Sequence, residues 1–276
     1  MTTTPFPRTV CAAIATLCMV AAPRPAHAAF DISVTFSTTV SDSQRAAFTA
    51  AEQTWESLLS GYLTPTANAV VTTLAISAAI QPIDGVGAIL GAAGPSSFFN
   101  DGVYELATAG EMEFDSADVA NLETNGRFNA VILHELAHVM GFGTLWTDNG
   151  VYANGTGQYT GLSALATYRT EYNQPLATFV PVELGGGAGT RNAHWAEVNP
   201  NTANIFDGQG RSLTQELMTG FLGANSYISC MTVEQFRDIG YLPALVVVPE
   251  AGTAALLSLG LAAVTTMVRR RRAIRR

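Results

Sequence analysis

The stretch Arg127-Phe-Asn-Ala-Val-Ile-Leu-His134-Glu135-Leu-Ala-His138-Val-Met-Gly141-Phe142 decides how the rest of the chain is read. Phe128, Val131, Ile132, Leu136 and Val139 recur at the three- and four-residue spacing of a helix with one buried face, and Gly141 and Gly143 supply its stop. Inside that helix His134 and His138 are four residues apart, so both imidazoles project from one face and can share one metal ion. A zinc ion suits such nitrogen ligands, keeps one position open and brings the pKa of its water to about 7. Glu135 stands beside the pair, where a carboxylate can take the proton of that water and return it to a leaving amine. The pattern therefore predicts zinc-assisted hydrolysis of a peptide bond.

Histidine usage sharpens the expectation. Outside the first 28 residues the chain contains three histidines, two of them in this helix. His194 is the remaining candidate for a third ligand.

The two ends read as targeting segments. Met1 to Ala28 combines Arg8, an apolar run from Val10 to Ala22 and the small-x-small site Ala26-His27-Ala28, the pattern of a secretory signal peptide. Residues 251 to 268 form an uncharged apolar stretch of about the minimum spanning length, followed by Arg269, Arg270, Arg271 and Arg272. The expected organisation is a signal peptide over 1–28, a catalytic domain over 29–248 and a sorting or membrane segment over 249–276.

The overall formal charge of −8 conceals a more acidic centre. Residues 29 to 248 hold six arginines and no lysine against 21 acidic residues, an excess of fifteen negative charges. Nucleic-acid binding is disfavoured by that field. Cys11 and Cys18 fall in the signal segment, so the domain keeps only Cys230, expected to be a small buried residue, and cannot close an internal disulfide. Its stability must come from packing and from metal.

Along the domain, Asp31 to Val40 alternates as a half-buried strand, and Ser41 to Leu63 reads as a helix with Ser43 as a candidate cap. Val70 to Ile76 reads as a buried strand, 81 to 98 as loop or short edge structure, and Val103–Ala107 with Gly110–Phe114 as a strand or hairpin. Helices are expected near Ser163–Tyr172 and Thr232–Ile239. Asp148, Asn149, Asp207 and Gly208 have the composition of calcium loops without the spacing, so ordinary turns are the first reading and calcium the second. Trp195 is expected to pack and so position His194.

His134 to Phe142 resembles the start of the metzincin zinc motif, and Thr144 stands where the short form of that motif has its third histidine. The chain looks like the leishmanolysin-like metzincins, in which a long insertion precedes that histidine. The resemblance is carried by Val180-Pro181-Val182-Glu183, by Gly185 to Gly189 and by His194-Trp195, then by Glu216-Leu217-Met218-Thr219-Gly220, similar to the family's Met-turn. It implies His134, His138 and His194 as zinc ligands, Glu135 as general base and Met218 as the apolar floor under the metal. It also implies an α+β, metzincin-like two-lobed domain: a twisted sheet with two helices, the second carrying the zinc motif, above an irregular C-terminal lobe. Gly110–Phe114 would be the edge strand that pairs with an extended substrate. The cysteines typical of the family are missing here.

The tail, with Val248-Pro249-Glu250 before the apolar run and the arginines, resembles the PEP-CTERM sorting signal of Gram-negative bacteria, with Ala251 in place of a second proline. That resemblance implies an exosortase-type processing enzyme as a partner, transient membrane anchoring, and a secreted endopeptidase acting on protein or peptide at the periplasm, cell surface or exterior. Two other readings stay open: a gluzincin-type peptidase whose third ligand is Glu171, Glu183 or Glu197, and a non-catalytic envelope or matrix protein that retains the fold.

Overall fold

The computed structural model describes residues 30–197 and 205–244; residues 1–28 and 249–276, expected as a signal peptide and a sorting or membrane segment, lie outside the described residues. The first strand, β1 (Ile32–Phe36), leads into helix α1 (Asp42–Leu58). The cap of α1 is Ser41: its hydroxyl accepts from the Gln44 backbone N–H while the Gln44 side chain accepts from the Ser41 N–H, satisfying two otherwise open groups.

The helix expected to run to Leu63 ends at Leu58, and Leu59–Tyr62 forms β2. The reason is non-local. Strand β2 pairs antiparallel with β8 (Tyr241–Pro243), almost at the other end of the described chain, and that pairing outweighs the helical spacing of the local apolar residues. A short helix, α2 (Pro65–Val70), comes next, with Thr64 as cap and proline in its first turn, so the strand expected from Val70 begins only at Leu74 as β3 (Leu74–Gln81).

The segment 81 to 98 is more ordered than expected. Its second half enters β4 (Gly91–Asn100), which forms a hairpin with β5 (Glu105–Asp115). The sheet order is β1-β3-β5-β4, with β1, β3 and β5 parallel and β4 antiparallel on the outside. Gly110–Phe114 therefore lies in an inner strand, and the edge position belongs to β4. Strand composition explains the exchange: Gly91, Gly94, Pro95, Ser96 and Ser97 have low strand propensity, but an edge strand tolerates proline because one of its sides needs no donor. The register shifts around Pro95 and Ser97.

Helix α3 (Ser116–Thr124) follows at once, capped by Asp115, and leads to α4 (Phe128–Val139), the helix of the His-Glu pattern. Helix α4 packs against α1 on one side and against β4 and β5 on another. Trp55 of α1, fully buried, donates its indole N–H to the Leu133 carbonyl at 3.0 Å, immediately before His134. Edge-to-face contacts among Phe36, Phe48, Phe114 and Phe128 fill the space between sheet and helices, with centroids 5.0–5.9 Å apart.

Beyond α4 regular structure thins out to the two-residue strands β6 (Gln158–Tyr159) and β7 (Val180–Pro181), helix α5 (Leu162–Glu171), one 3-10 turn at Leu213–Gln215 and helix α6 (Cys230–Asp238). A second aromatic cluster holds this part together, with Trp146, Tyr159 and Phe142 all packed on Trp195. The buried apolar residues form one cluster that runs from Phe30 to Tyr241. Cys230, expected to be buried, is exposed, because as the first residue of α6 it points away from the face that carries Met231 and Phe236.

Candidate metal centre

His134, Glu135 and His138 sit on the last turns of α4; His194 follows the glycine-rich arm 185–189, and Met218 follows the 3-10 turn. The fold brings the three histidines together. The Nε2 atoms of His134 and His194 are 3.0 Å apart, those of His134 and His138 3.0 Å, and those of His138 and His194 3.1 Å. His138 and His194 are buried, whereas His134 is partly exposed.

The opposite nitrogen of each ring fixes what these atoms are. His134 Nδ1 lies 2.8 Å from the Leu217 carbonyl oxygen, His138 Nδ1 2.8 Å from that of Phe142, and His194 Nδ1 2.9 Å from that of Thr190. A carbonyl can only accept, so in each neutral ring the proton resides on Nδ1 and Nε2 carries a bare lone pair. Burial keeps the rings neutral, holding His134 down at about 4 and His194 down at about 3, and lowering His138 as well. Three lone pairs thus converge with no proton among them to share, and a cation is the group that reconciles them. Nitrogen ligands of a tetrahedral zinc ion stand about 3.3 Å apart, close to the observed spacing, and all-nitrogen donor sets suit zinc. Among the described residues this is the one group of three or more metal-ligating side chains brought within reach of a common ion.

The family model for leishmanolysin, the M8 peptidases, matches residues 66–251, more than half of the chain and the whole of this site. The chain belongs to the leishmanolysin family. A leishmanolysin homolog from Crithidia fasciculata is 29% identical over 127 residues, a stretch that covers 41% of this chain and 17% of that protein.

In this leishmanolysin-family chain Glu135 is buried beside His134 on α4, and burial lifts its carboxyl to about 8. Strand β4 begins directly over it. A Cβ on Gly91 would lie 2.9 Å from Glu135 Oε1, so a larger residue there would press on the carboxylate and shift it. Met218 is fully buried, and its neighbouring peptides join two of the histidine segments: Leu217 O receives the His134 proton, and Met218 O receives the Trp195 N–H at 3.0 Å. Trp195 is fully buried, stacks on Trp146 and donates its indole N–H to Thr232 Oγ1 at 2.9 Å.

The three glutamates considered as other ligands lie in different surroundings. Glu171 accepts the backbone N–H groups of Cys230 and Met231 at the start of α6, at 3.0 and 2.8 Å. Glu183 accepts the Gly185 N–H, and Glu197 is half-buried, its carboxyl lifted to about 7 chiefly by burial. Of the calcium candidates, Asn149 brackets the backbone of Glu105, far away in sequence, and Asp207 closes a turn with Gln209 and Arg211. One residue of the Met-turn motif was given no role of its own by the sequence. Glu216 is fully buried under the Met218 turn, where the sequence shows only a polar residue ahead of Leu217 and Met218.

Proposed function

We propose that the chain is a secreted zinc-dependent endopeptidase, with His134, His138 and His194 holding the metal and Glu135 as general base. The observation that carries the reading is the convergence of three imidazole lone pairs whose protons are all committed to backbone carbonyls. Zinc, when bound, supplies Lewis acidity that polarises the scissile carbonyl and acidifies water. Glu135 takes a proton from the attacking water as the new carbon–oxygen bond forms, and delivers it to the amine nitrogen as the carbon–nitrogen bond breaks. Met218 gives the site an apolar floor. Strand β4, at the edge of the sheet among the described residues and with its start passing over Glu135, offers backbone groups to an extended peptide and lays it along the site.

The placement of the enzyme rests on the sequence of the two ends. The signal-like start carries the domain across the inner membrane, and the PEP-CTERM-like tail, anchored until an exosortase-type enzyme removes it, leaves it at the envelope or outside.

Zinc content and casein hydrolysis measured on wild type, Glu135→Ala and His194→Ala test the reading together. Expected are stoichiometric zinc in wild type and Glu135→Ala, loss of zinc in His194→Ala, and hydrolysis in wild type alone. Hydrolysis by Glu135→Ala at the wild-type rate would overturn the enzyme reading, and retention of zinc and activity by His194→Ala would move the third ligand to a glutamate.

A further inference from the structure

We infer that Glu216 is a positioning residue for the metal centre, the carboxylate of a carboxylate–peptide–histidine chain that ends on His134. The inference rests on the proposed assignment of His134 as a metal ligand. The chain runs through one peptide group. Met218 N–H donates to Glu216 Oε2 at 2.6 Å, and the carbonyl of that same peptide, Leu217 C=O, accepts the Nδ1–H of His134 at 2.8 Å. Negative charge at the N–H end of a peptide pushes electron density toward its oxygen, because hydrogen bonds in series polarise one another in a low-dielectric interior. Leu217 O becomes a stronger acceptor, and His134 a more electron-rich ligand at Nε2. Carboxylates hydrogen-bonded directly to ligand histidines have this effect, and here one peptide is interposed.

Glu216 is held by donors on both of its carboxyl oxygens. It is fully buried, and among the described residues the ion pairs are Arg211–Asp207 and Arg237–Glu234, so no basic side chain neutralises it. Its oxygens are occupied by donors instead. Besides Met218 N–H, Oε1 accepts from the Ser229 N–H at 3.0 Å, the Ser229 hydroxyl at 2.9 Å and the Thr232 hydroxyl at 2.6 Å. Burial raises its pKa above the ordinary glutamate value, and these same donors oppose that rise. Thr232 also receives the Trp195 indole N–H, so the carboxylate is tied to the residue next to His194.

The other two histidines have no such chain. Beyond the Thr190 carbonyl that serves His194, the next amide, Arg191 N–H, donates to the neutral Gly187 carbonyl. For His138 the acceptor is Phe142 O, and no carboxylate accepts from the Gly143 N–H among the described hydrogen bonds. The relay therefore predicts an asymmetry among three chemically equal ligands.

The test uses the whole domain with and without zinc. In proton–nitrogen NMR spectra of wild type, the His134 Nδ1–H resonance is expected downfield of those of His138 and His194. In Glu216→Gln, which keeps the shape but removes the charge and one acceptor, that resonance should move upfield with the other two unmoved. Chelator competition should show zinc held on the order of tenfold more weakly, the lower end of what direct carboxylate partners contribute. Equal zinc affinity with an unmoved His134 resonance overturns the relay. So does a common shift of all three resonances, the mark of a merely structural change. If Glu216→Gln does not fold, the wild-type comparison decides, and a His134 resonance coincident with that of His138 overturns the inference. Absence of zinc binding by wild type would instead sink the metal-centre reading, while the resonance comparison on zinc-free protein still judges the relay.

Discussion

Gly143 is the position at which a single methyl group should separate the two halves of the metal centre. It adopts φ +73, a left-handed conformation that costs an alanine about 1–2 kcal/mol. A Cβ there would also stand 2.7 Å from the Cα of Ala193 and 2.9 Å from its carbonyl carbon, both backbone atoms of the residue before His194. The Ala193 carbonyl oxygen is nearer still, and ordinary contact begins at 3.4 Å, so the backbone of the His194 segment must retreat by about 1 Å. Overpacking of this kind adds about 1–3 kcal/mol, for a total near 2–5 kcal/mol. The direction of the retreat matters more than the sum. The three Nε2 atoms are 3.0–3.1 Å apart, and a displacement of that size on one of them takes the donor set out of register.

Gly143→Ala should therefore lower the urea midpoint of the zinc-free domain and weaken zinc binding together, with hydrolysis reduced on the order of 10²-fold, as for ångström-scale misplacement elsewhere. Gly150→Ala is the control, because Gly150 has φ +69 but nothing within 4 Å of its would-be Cβ. It should show the conformational cost alone, about 1–2 kcal/mol, and keep zinc affinity. If Gly143→Ala proves no worse than Gly150→Ala in both assays, the packing of the turn after α4 against the His194 segment is not what holds the third ligand.

Two pH dependences of opposite sign follow from buried carboxyls. Burial raises Glu135 to about 8 in the folded chain, so in zinc-free wild type its contribution to stability is present below about pH 4.3 and is lost as pH rises toward 8. Glu135→Gln removes that loss, and in urea titrations its stability advantage over wild type should grow from pH 5 to pH 8. Asp115 is held below the usual carboxylate range by the backbone N–H groups of Ala117, Asp84 and Gly85, so its contribution is present above about pH 4 and lost as pH falls through its folded value. Asp115→Asn should be less stable than wild type at pH 7 and approach it as pH falls below the usual carboxylate range, and parallel curves down to the acid limit would remove Asp115 as the anchor of the 82–90 loop.

What the sequence made legible is what depends on near neighbours. Helix α4 could be read because apolar period, histidine spacing and terminal glycines all fall within sixteen residues. His194 could be named by elimination, since no spacing links it to the other two. The start of β2 could not be read, because Leu59–Tyr62 continues the helical pattern and becomes a strand only through a partner near residue 242. Strand β4 was hidden for the opposite reason: its glycines, proline and serines look like loop, and its extended form comes from pairing with β5 at an edge where proline is tolerated. Glu216 is the clearest case. Nothing local distinguishes a buried glutamate from a solvated one, and its donors Ser229 and Thr232 arrive from the start of α6.

The same distinction between near and distant contacts explains how the described residues, without a disulfide among them, hold His194 against His138, 56 residues away in sequence. The His134–His138 pair needs only the rigidity of α4. His194 is held by a short ladder of non-local contacts instead: Trp195 bridges Val182 on one side and Thr219 on the other, while Glu183 N–H reaches the His194 carbonyl at 2.9 Å and Asn192 N–H returns to Glu183 at 2.8 Å. Trp195 supplies the mass behind that ladder through its stacking on Trp146 and its contacts with Phe142 and Tyr159. Phe142 also supplies the carbonyl that orients His138, so the aromatic cluster grips the helix pair and the His194 segment at once. Packing around Trp195 thus does for this chain what a covalent link across the insertion would do, and it joins the position of the third histidine to the integrity of the core.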